Sequence, residues 1–320
     1  MLKGKLMKSE KRKKQSLLRR VGKDLTKHAD AYIMVNPVII FYILFCYKPM
    51  YGVIIAFKDY SPAAGVWGSK WADSFGFRHF IDFFSSYYFK RVLRNTLVIS
   101  LSSIVFGFPA PIIFALMLNE IKNLKFKKMV QTISYMPHFI SMIVVASLIK
   151  FFVSDTGVIT SIITAFGGDK VSMLAVPKYF VPIYVISGIW QELGWGAIIY
   201  LSALAGIDQE LYEAARIDGA NRWKQTLYVT LPGISGTVII MRLLRIGSIM
   251  SVGYEKIILL YNPGIYETAD VISTFVYRKG LLEYEWSYST AVGIFNSIIN
   301  FVIVVIFNKV SRKVTEVSLW

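Results

Sequence analysis

Residues 213–234 read EAARIDGANRWKQTLYVTLPGI, a polar stretch set between two long apolar ones. It holds seven charged or amide side chains, a glycine after a short helical pattern, and a closing Leu-Pro. The overlapping segment DQELYEAARID (208–218) places Leu211, Ala214, Ala215 and Ile217 at helical spacing, with Asp208 where a helix cap belongs. Gly219 then permits a sharp change of direction. ANRWKQTLYVT predicts a second short helix, and Pro232 marks the start of the next apolar run, where a helix tolerates a missing N–H. Ala214, Ala215 and Gly219 are small enough for another surface to approach closely, and Glu213 and Asp218 put charge at the edge of that space.

The flanks of this insert decide its setting. Six stretches approach or exceed the roughly 20 residues that span a bilayer as a helix. They are 31–47 (running on toward 57), 96–118, 129–149, 181–204, 233–254 and 286–307. The second and sixth carry no charge at all. Over the whole chain of 320 residues, 55% are hydrophobic and 18% charged, which is too apolar for a soluble protein of this length. Alternation of apolar and polar residues is sustained nowhere, which argues against a transmembrane barrel. The fold class predicted is an all-α polytopic membrane protein with six transmembrane helices. Because further spans follow it, the first is read as a retained helix, not a cleaved signal peptide.

Charge sets the orientation. With both ends inside, segments 1–30, 119–128, 205–232 and 309–320 carry 21 Lys and Arg in 80 residues, against 13 in the 108 residues of the opposite loops. The positive-inside rule therefore places both termini in the cytoplasm. Arg91 and Arg94 sit awkwardly at the outer end of the second span. The net charge of +16 follows from these basic loops and does not call for nucleic acid. The domains predicted are a basic cytoplasmic segment (1–30), a six-helix transmembrane domain (31–308) containing the loop 205–232, and a short cytoplasmic tail (309–320). The basic segment suits attraction to anionic lipid or an interfacial helix equally. Cys46 is the single cysteine, and His28, His79 and His138 lack zinc-like spacing, so neither an intramolecular disulfide nor a metal site is indicated.

The insert resembles the EAA loop of binding-protein-dependent ABC importer permeases. Glu213, Ala214 and Ala215 are followed by Gly219, then by Val229, Leu231 and Pro232, with valine where isoleucine is commoner. Asp218, Gly219 and Ala220 match the DGA of carbohydrate permeases. YKPMYGVIIAFKDYSP (47–62), FGFPAPIIFALMLNE (106–120), QTISYMPHFIS (131–141), GWGAIIYLSALAGID (194–208) and GYEKIILLYNP (253–263) look like the polysaccharide and oligosaccharide subgroup. The resemblance implies that the loop is a coupling helix docked on a cytoplasmic ATPase, with Glu213 facing a basic residue there. It implies a second related permease, two ABC ATPase subunits that bind ATP and magnesium, and an extracellular solute-binding protein. It also implies an oligosaccharide cargo and a bacterial cytoplasmic membrane. No G-x-x-x-x-G-K-[ST] occurs in the chain, so ATP hydrolysis is assigned to a partner and this chain is read as a transport subunit, not an enzyme.

Ionisable residues at membrane depth are candidates for the pathway, because lipid penalises them. Glu192 lies near the middle of the fourth span, and Arg242 and Arg245 lie three residues apart in the fifth. At 1.5 Å per residue, Glu192 and Arg245 each stand ~18 Å from the cytoplasmic ends of their helices, a matched depth that allows an ion pair. Such a pair could tie the helices together or line a pathway, and the arginines admit an acidic glycan. Trp190, Gln191 and Trp195 beside Glu192 offer rings and an amide suited to a sugar. Asn296 and Asn300 suit hydrogen bonding between helices first and pathway lining second. Pro137 and His138 predict a kink in the third span. A peptide or amino-acid importer, and a non-conducting membrane scaffold that binds an ATPase, are the alternatives.

Overall fold

The computed structural model describes residues 27–315 and Ser318. The basic segment 1–26 and most of the last five residues lie outside the described residues, so the predictions made for them are not addressed. The chain divides into two compact units, Met1–Ile55 with Ser61–Ser69, and Ala56–Tyr60 with Lys70–Trp320.

In the first unit, α1 (Ala29–Phe41) passes without interruption through a wider turn at Tyr42–Tyr47. The helical run continues to Phe57, so the first predicted span takes its longer form. Its side chains, Ile33, Met34 and Phe45 among them, are exposed. From Ala29 to Met50 every residue is exposed, as suits a helix placed against lipid, whereas Ala56 near the end of the run is buried.

The second unit contains the remaining helices apart from the single turn Gly65–Gly68, which belongs to the first. The strands β1 (Lys58–Asp59) and β2 (Lys70–Trp71) form a minimal antiparallel hairpin ahead of α2 (Arg78–Ser85). Helix α3 (Tyr87–Ser102) is capped by the Ser86 side chain and runs on into α4 (Pro109–Glu120). Asn123 caps α5 (Leu124–Tyr135), and α6 (Met142–Phe152) follows. The long α7 (Pro177–Ala205, 29 residues) precedes the insert helix α8 (Gln209–Ile217). Then come α9 (Arg222–Gln225), α10 (Leu231–Gly247), α11 (Tyr254–Leu260), α12 (Ile272–Tyr277) and α13 (Trp286–Thr315).

Among the described residues, four runs are long and apolar enough to cross a membrane: Ala29–Phe57, Tyr87–Glu120, Arg222–Gly247 and Trp286–Lys313. A fifth is added if Leu124–Phe139 and Met142–Phe152 count as one span. These two segments are bent by 100°, so the third predicted span is broken and not merely kinked. The cause is local: Pro137 lacks an N–H, and the chain turns extended at Ile140 and Ser141. The fourth predicted span is α7, which has the length, but Gln191 and Glu192 at its middle dilute its apolar character.

The fifth span also differs from expectation. Pro232 does not open it, because the helix extends back to Arg222 through a wider turn at Thr226–Thr230 that absorbs the missing donor. At its other end the helix stops at Gly247, short of the predicted 254. Asn300 holds that end: its Oδ1 accepts from Met250 N–H at 3.0 Å and its Nδ2 donates to Ser251 Oγ at 3.0 Å. Ser100 Oγ donates to the Ile249 carbonyl nearby. Asn300 therefore ties α13 to the turn that follows α10, not helix to helix, whereas the buried Oδ1 of Asn296 has no protein partner.

Three apolar clusters hold this unit. One joins α6, the start of α7 and α11 through Val145, Phe180 and Ile257. A second gathers Phe83, Val92, Phe275 and Val292 from α2, α3, α12 and α13. A third packs Ala115, Ala197 and Ile234, so α4, α7 and α10 meet over small residues. Gly194 brings α7 against α5 so closely that a Cβ there would lie 2.2 Å from the Ser134 carbonyl oxygen.

The two awkward arginines are accounted for. Asp270, fully buried, accepts from Arg278 at 2.7 and 3.1 Å, from Arg91 at 3.3 Å and from Thr274 at 3.0 Å. Arg94 donates to the Glu267 carbonyl at 3.0 Å. Sequence reading had no access to this cluster, whose members come from segments far apart in the chain.

Candidate functional site

A cavity of about 720 Å³ lies among α4, α7 and α10, with α11 closing one side. Small residues of α7 make room for it, since Gly188 and Gly196 recur on its lining beside Gln191 and Glu192. Its charged groups are Glu192, Arg245, Glu255 and Lys256, and its rings include Tyr184 and Tyr254.

Of the predicted pathway residues, Gln191, Glu192 and Arg245 line this cavity, whereas Trp190, Trp195, Arg242 and Asn296 do not. Arg242 falls on an exposed face of α10. The Glu192–Arg245 ion pair that matched depth allowed is not formed. Glu192 instead faces His138, whose Nδ1 stands 3.1 Å from Oε2 and 3.2 Å from Oε1. The broken third span explains the difference, because the bend after α5 carries His138 up to α7. Trp195, one turn on from Glu192, stacks on the His138 ring at 4.4 Å with 3° between planes. Trp195 therefore orients the imidazole at the cavity wall. Trp190 is 46% exposed.

Lys256 was not singled out from the sequence, where it reads as an ordinary loop cation. It is buried, and its Nζ donates to the Tyr184 carbonyl at 3.2 Å and lies 5.0 Å from the Tyr184 ring centroid. It sits beyond the end of the fifth helical run. Burial pushes its pKa down from 10.5 to about 8, and the Glu192 charge opposes that fall. A lysine next to a glutamate at the head of GYEKIILLYNP gave no local sign that it turns inward.

The polar insert has the turn that its glycine predicts. Asp208 Oδ1 accepts from Glu210 N–H at 3.0 Å, capping α8. Gly219 has φ +76, the left-handed region, and there Ala220 N–H closes back on the Ala215 carbonyl at 2.9 Å. Asn221 then caps the next helix through Lys224 N–H at 2.9 Å. Two contacts brace the insert internally and a third ties it to α4. Tyr212 and Thr230 hydroxyls meet at 3.0 Å, Gln225 Nε2 donates to the Ala220 carbonyl at 2.8 Å, and Arg222 pairs with Glu120 at 3.0 Å. Glu213, Ala214, Asp218 and Gly219 are exposed, Ala215 and Ala220 half-buried, and Ile217 is 87% exposed. Leu231 and Pro232 lie inside the run Arg222–Gly247, so the second helix of the insert is continuous with that run.

The aromatic side chains of segment 48–95 divide. Phe83 is buried in the second cluster, whereas Trp67, Trp71 and Tyr87 are exposed. Among the described residues no group of His, Cys, Asp and Glu is arranged to hold a metal ion.

Three similarities bear on this arrangement. The polygalacturonan/rhamnogalacturonan transport system permease protein YteP of Bacillus subtilis (strain 168) is 39% identical over 316 residues, 98% of this chain and 96% of that protein. A crystal structure of a bacterial ABC transporter involved in import of the acidic polysaccharide alginate shares 45% identity at a TM-score of 0.85, covering 92% of this chain and 99% of that one. A bacterial alginate ABC transporter in complex with an alginate pentasaccharide-bound periplasmic protein matches at 44% identity and a TM-score of 0.86, covering 94% and 100%. Residues 107–316, which include the cavity-lining helices α7 and α10 and the whole insert, match a family pattern. The chain belongs to the family of binding-protein-dependent transport system inner membrane components.

Proposed function

We propose that this chain is a transmembrane permease subunit of an ATP-driven importer of oligosaccharides or polysaccharide fragments, and that the cavity at Glu192 is where the glycan passes. The observation that carries this reading is the cavity itself: about 720 Å³, within the roughly 300–1,000 Å³ of small-molecule sites. It is lined by apolar side chains with a few polar groups, whereas a scaffold would have no use for such a space. The relatives named above handle polygalacturonan, rhamnogalacturonan and alginate, which supports a glycan over a peptide or amino acid and favours chains bearing uronates.

The finer arrangement belongs to the same proposal. Six spans leave both termini in the cytoplasm, with domains at 1–30, 31–308 and 309–320. Helix α8 and the turn at Gly219 are the coupling element, which presents Glu213, Ala214, Ala215, Asp218, Gly219 and Ala220 to an ABC ATPase. Two such ATPases bind ATP and magnesium, a second related permease completes the pathway, and an extracellular solute-binding protein delivers the cargo. Closure of the ATPases displaces α8. Because the insert is fixed to the helix bearing Arg245 and continues directly from α7, the walls of the cavity reorient as rigid bodies between two access states.

Affinity purification of the tagged chain from native membranes, followed by mass spectrometry, tests the assembly. Recovery of an ABC ATPase and a second permease is the expected result. Recovery of the chain alone, in detergent mild enough to preserve comparable complexes, would refute it.

A further inference from the structure

The cavity carries one feature that glycan passage in general does not require. Lys256 is 5% exposed, yet it lines the cavity. An ammonium has three donors. The structure gives Lys256 one hydrogen bond, to the Tyr184 carbonyl at 3.2 Å, and one ring face. A buried charge compensated so thinly is held at a cost until an anion reaches it.

Neither acid of the cavity supplies the missing acceptors. Glu192 acts on Lys256 through its charge but makes no hydrogen bond to it, and is engaged by His138 at 3.1 Å. Glu255 precedes Lys256 on the same helix, and consecutive helical residues point to different faces. Arg245 adds a second cation from α10, exposed toward the same space, and its charge reaches the Tyr184 hydroxyl. Two cations thus adjoin one tyrosine, whose ring is wide enough to face a sugar.

The geometry points to a carboxylate subsite: Lys256 and Arg245 bind the acid group of a uronate unit in the passing glycan, and Lys256 sets the preference for charged over neutral chains. This rests on the oligosaccharide reading above. Tyr184 holds the ammonium from behind, through its carbonyl and ring. The incoming carboxylate supplies the acceptors that the protein leaves out. Guanidinium and ammonium differ in their geometry toward a carboxylate, the first forked and the second a point charge, so the two cations are not redundant.

The test uses cells carrying the complete importer, supplied with labelled oligogalacturonates and oligoalginates and with the methyl esters of both. Esterification removes the charge and keeps the sugar. Wild type should favour the free acids. Lys256→Met should lower uptake of the free acids by roughly tenfold or more, the scale of a lost charge-assisted hydrogen bond, and leave the esters unaffected. Arg245→Gln, at an exposed position where folding is not at stake, should shift the same ratio in the same direction. Membrane abundance of each variant is measured alongside. Equal losses on acids and esters, or an unchanged ratio in both variants, would overturn the subsite. Wild-type uptake of esters in preference to acids would overturn it while leaving sugar import intact. Uptake of neither form by wild type would overturn the oligosaccharide reading and the subsite together.

Discussion

Replacing Gly194 by alanine tests how closely the broken third span is seated on α7. A Cβ at this position would meet the Ser134 carbonyl oxygen at 2.2 Å, its carbon at 2.4 Å and Tyr135 Cδ1 at 2.8 Å. Two of the three are backbone atoms and cannot rotate aside. Restoring an ordinary contact requires α5 and α7 to separate by about 1 Å, and overpacking of this kind costs about 1–3 kcal/mol. At the ~2–4 °C per kcal/mol of a domain of similar size, the thermal midpoint should fall by several degrees. The separation should also loosen the His138–Glu192 contact, now 3.1 Å, because His138 follows α5 by one turn. The assay is thermal unfolding of the purified complex, with glycan uptake in cells as a second readout. Gly236→Ala and Gly293→Ala are the controls, since a Cβ at either meets nothing within 4 Å; they should be neutral or gain up to ~1 kcal/mol of helix propensity. A Gly194→Ala protein that melts at or above the wild-type midpoint would refute the packing argument.

Other outcomes follow from the same structure. Gly219→Pro forces φ from +76 to about −65°, so transport should be lost while the chain remains inserted at normal abundance; normal uptake would remove the insert from the coupling role. Asp270→Asn leaves Arg278 and Arg91 facing a neutral group and should cost about 3–5 kcal/mol, seen as a lower melting midpoint and reduced membrane abundance, and an unchanged midpoint would contradict it. For Lys256, whose pKa burial lowers from 10.5 to about 8, the ammonium is present below pH 8 and lost above it. Uptake of uronate chains should therefore decline as external pH rises through 8 in wild type, and show no such step in Lys256→Met. Stability runs the other way, because between pH 8 and 10.5 the unfolded chain binds more protons than the folded one, so this lysine's penalty is relieved as pH rises through that window.

Much of this protein was legible in the residues because the signals are short-range. Asp208, Gly219 and the helix between them depend on neighbours within a turn, and the apolar runs follow from composition over a single window. Glu192 was legible as a charge out of place, but its partner was not. Helix rise set it level with Arg245, an arithmetic on the fourth and fifth spans that left the third out of account. Once Pro137 ends α5 and the chain turns, His138 arrives first. Lys256 and Asp270 were invisible for a related reason: each lies in a segment that reads as a loop, where charges are normally solvated, and each is buried by segments far away in sequence. Arg242 shows the converse, since a charge within an apolar run need not enter the cavity its neighbour lines.

The pairing of Arg91 with Asp270 spans 179 residues. A ribosome adding roughly 5–20 residues per second needs on the order of 10–40 s to deliver the aspartate after the arginine. For that interval Arg91 and Arg94 stand at the end of an inserted helix without the groups that later bind them. The second span must therefore hold its place by hydropathy alone until Asp270 is made, and a segment synthesised late is the one that locks a helix inserted early.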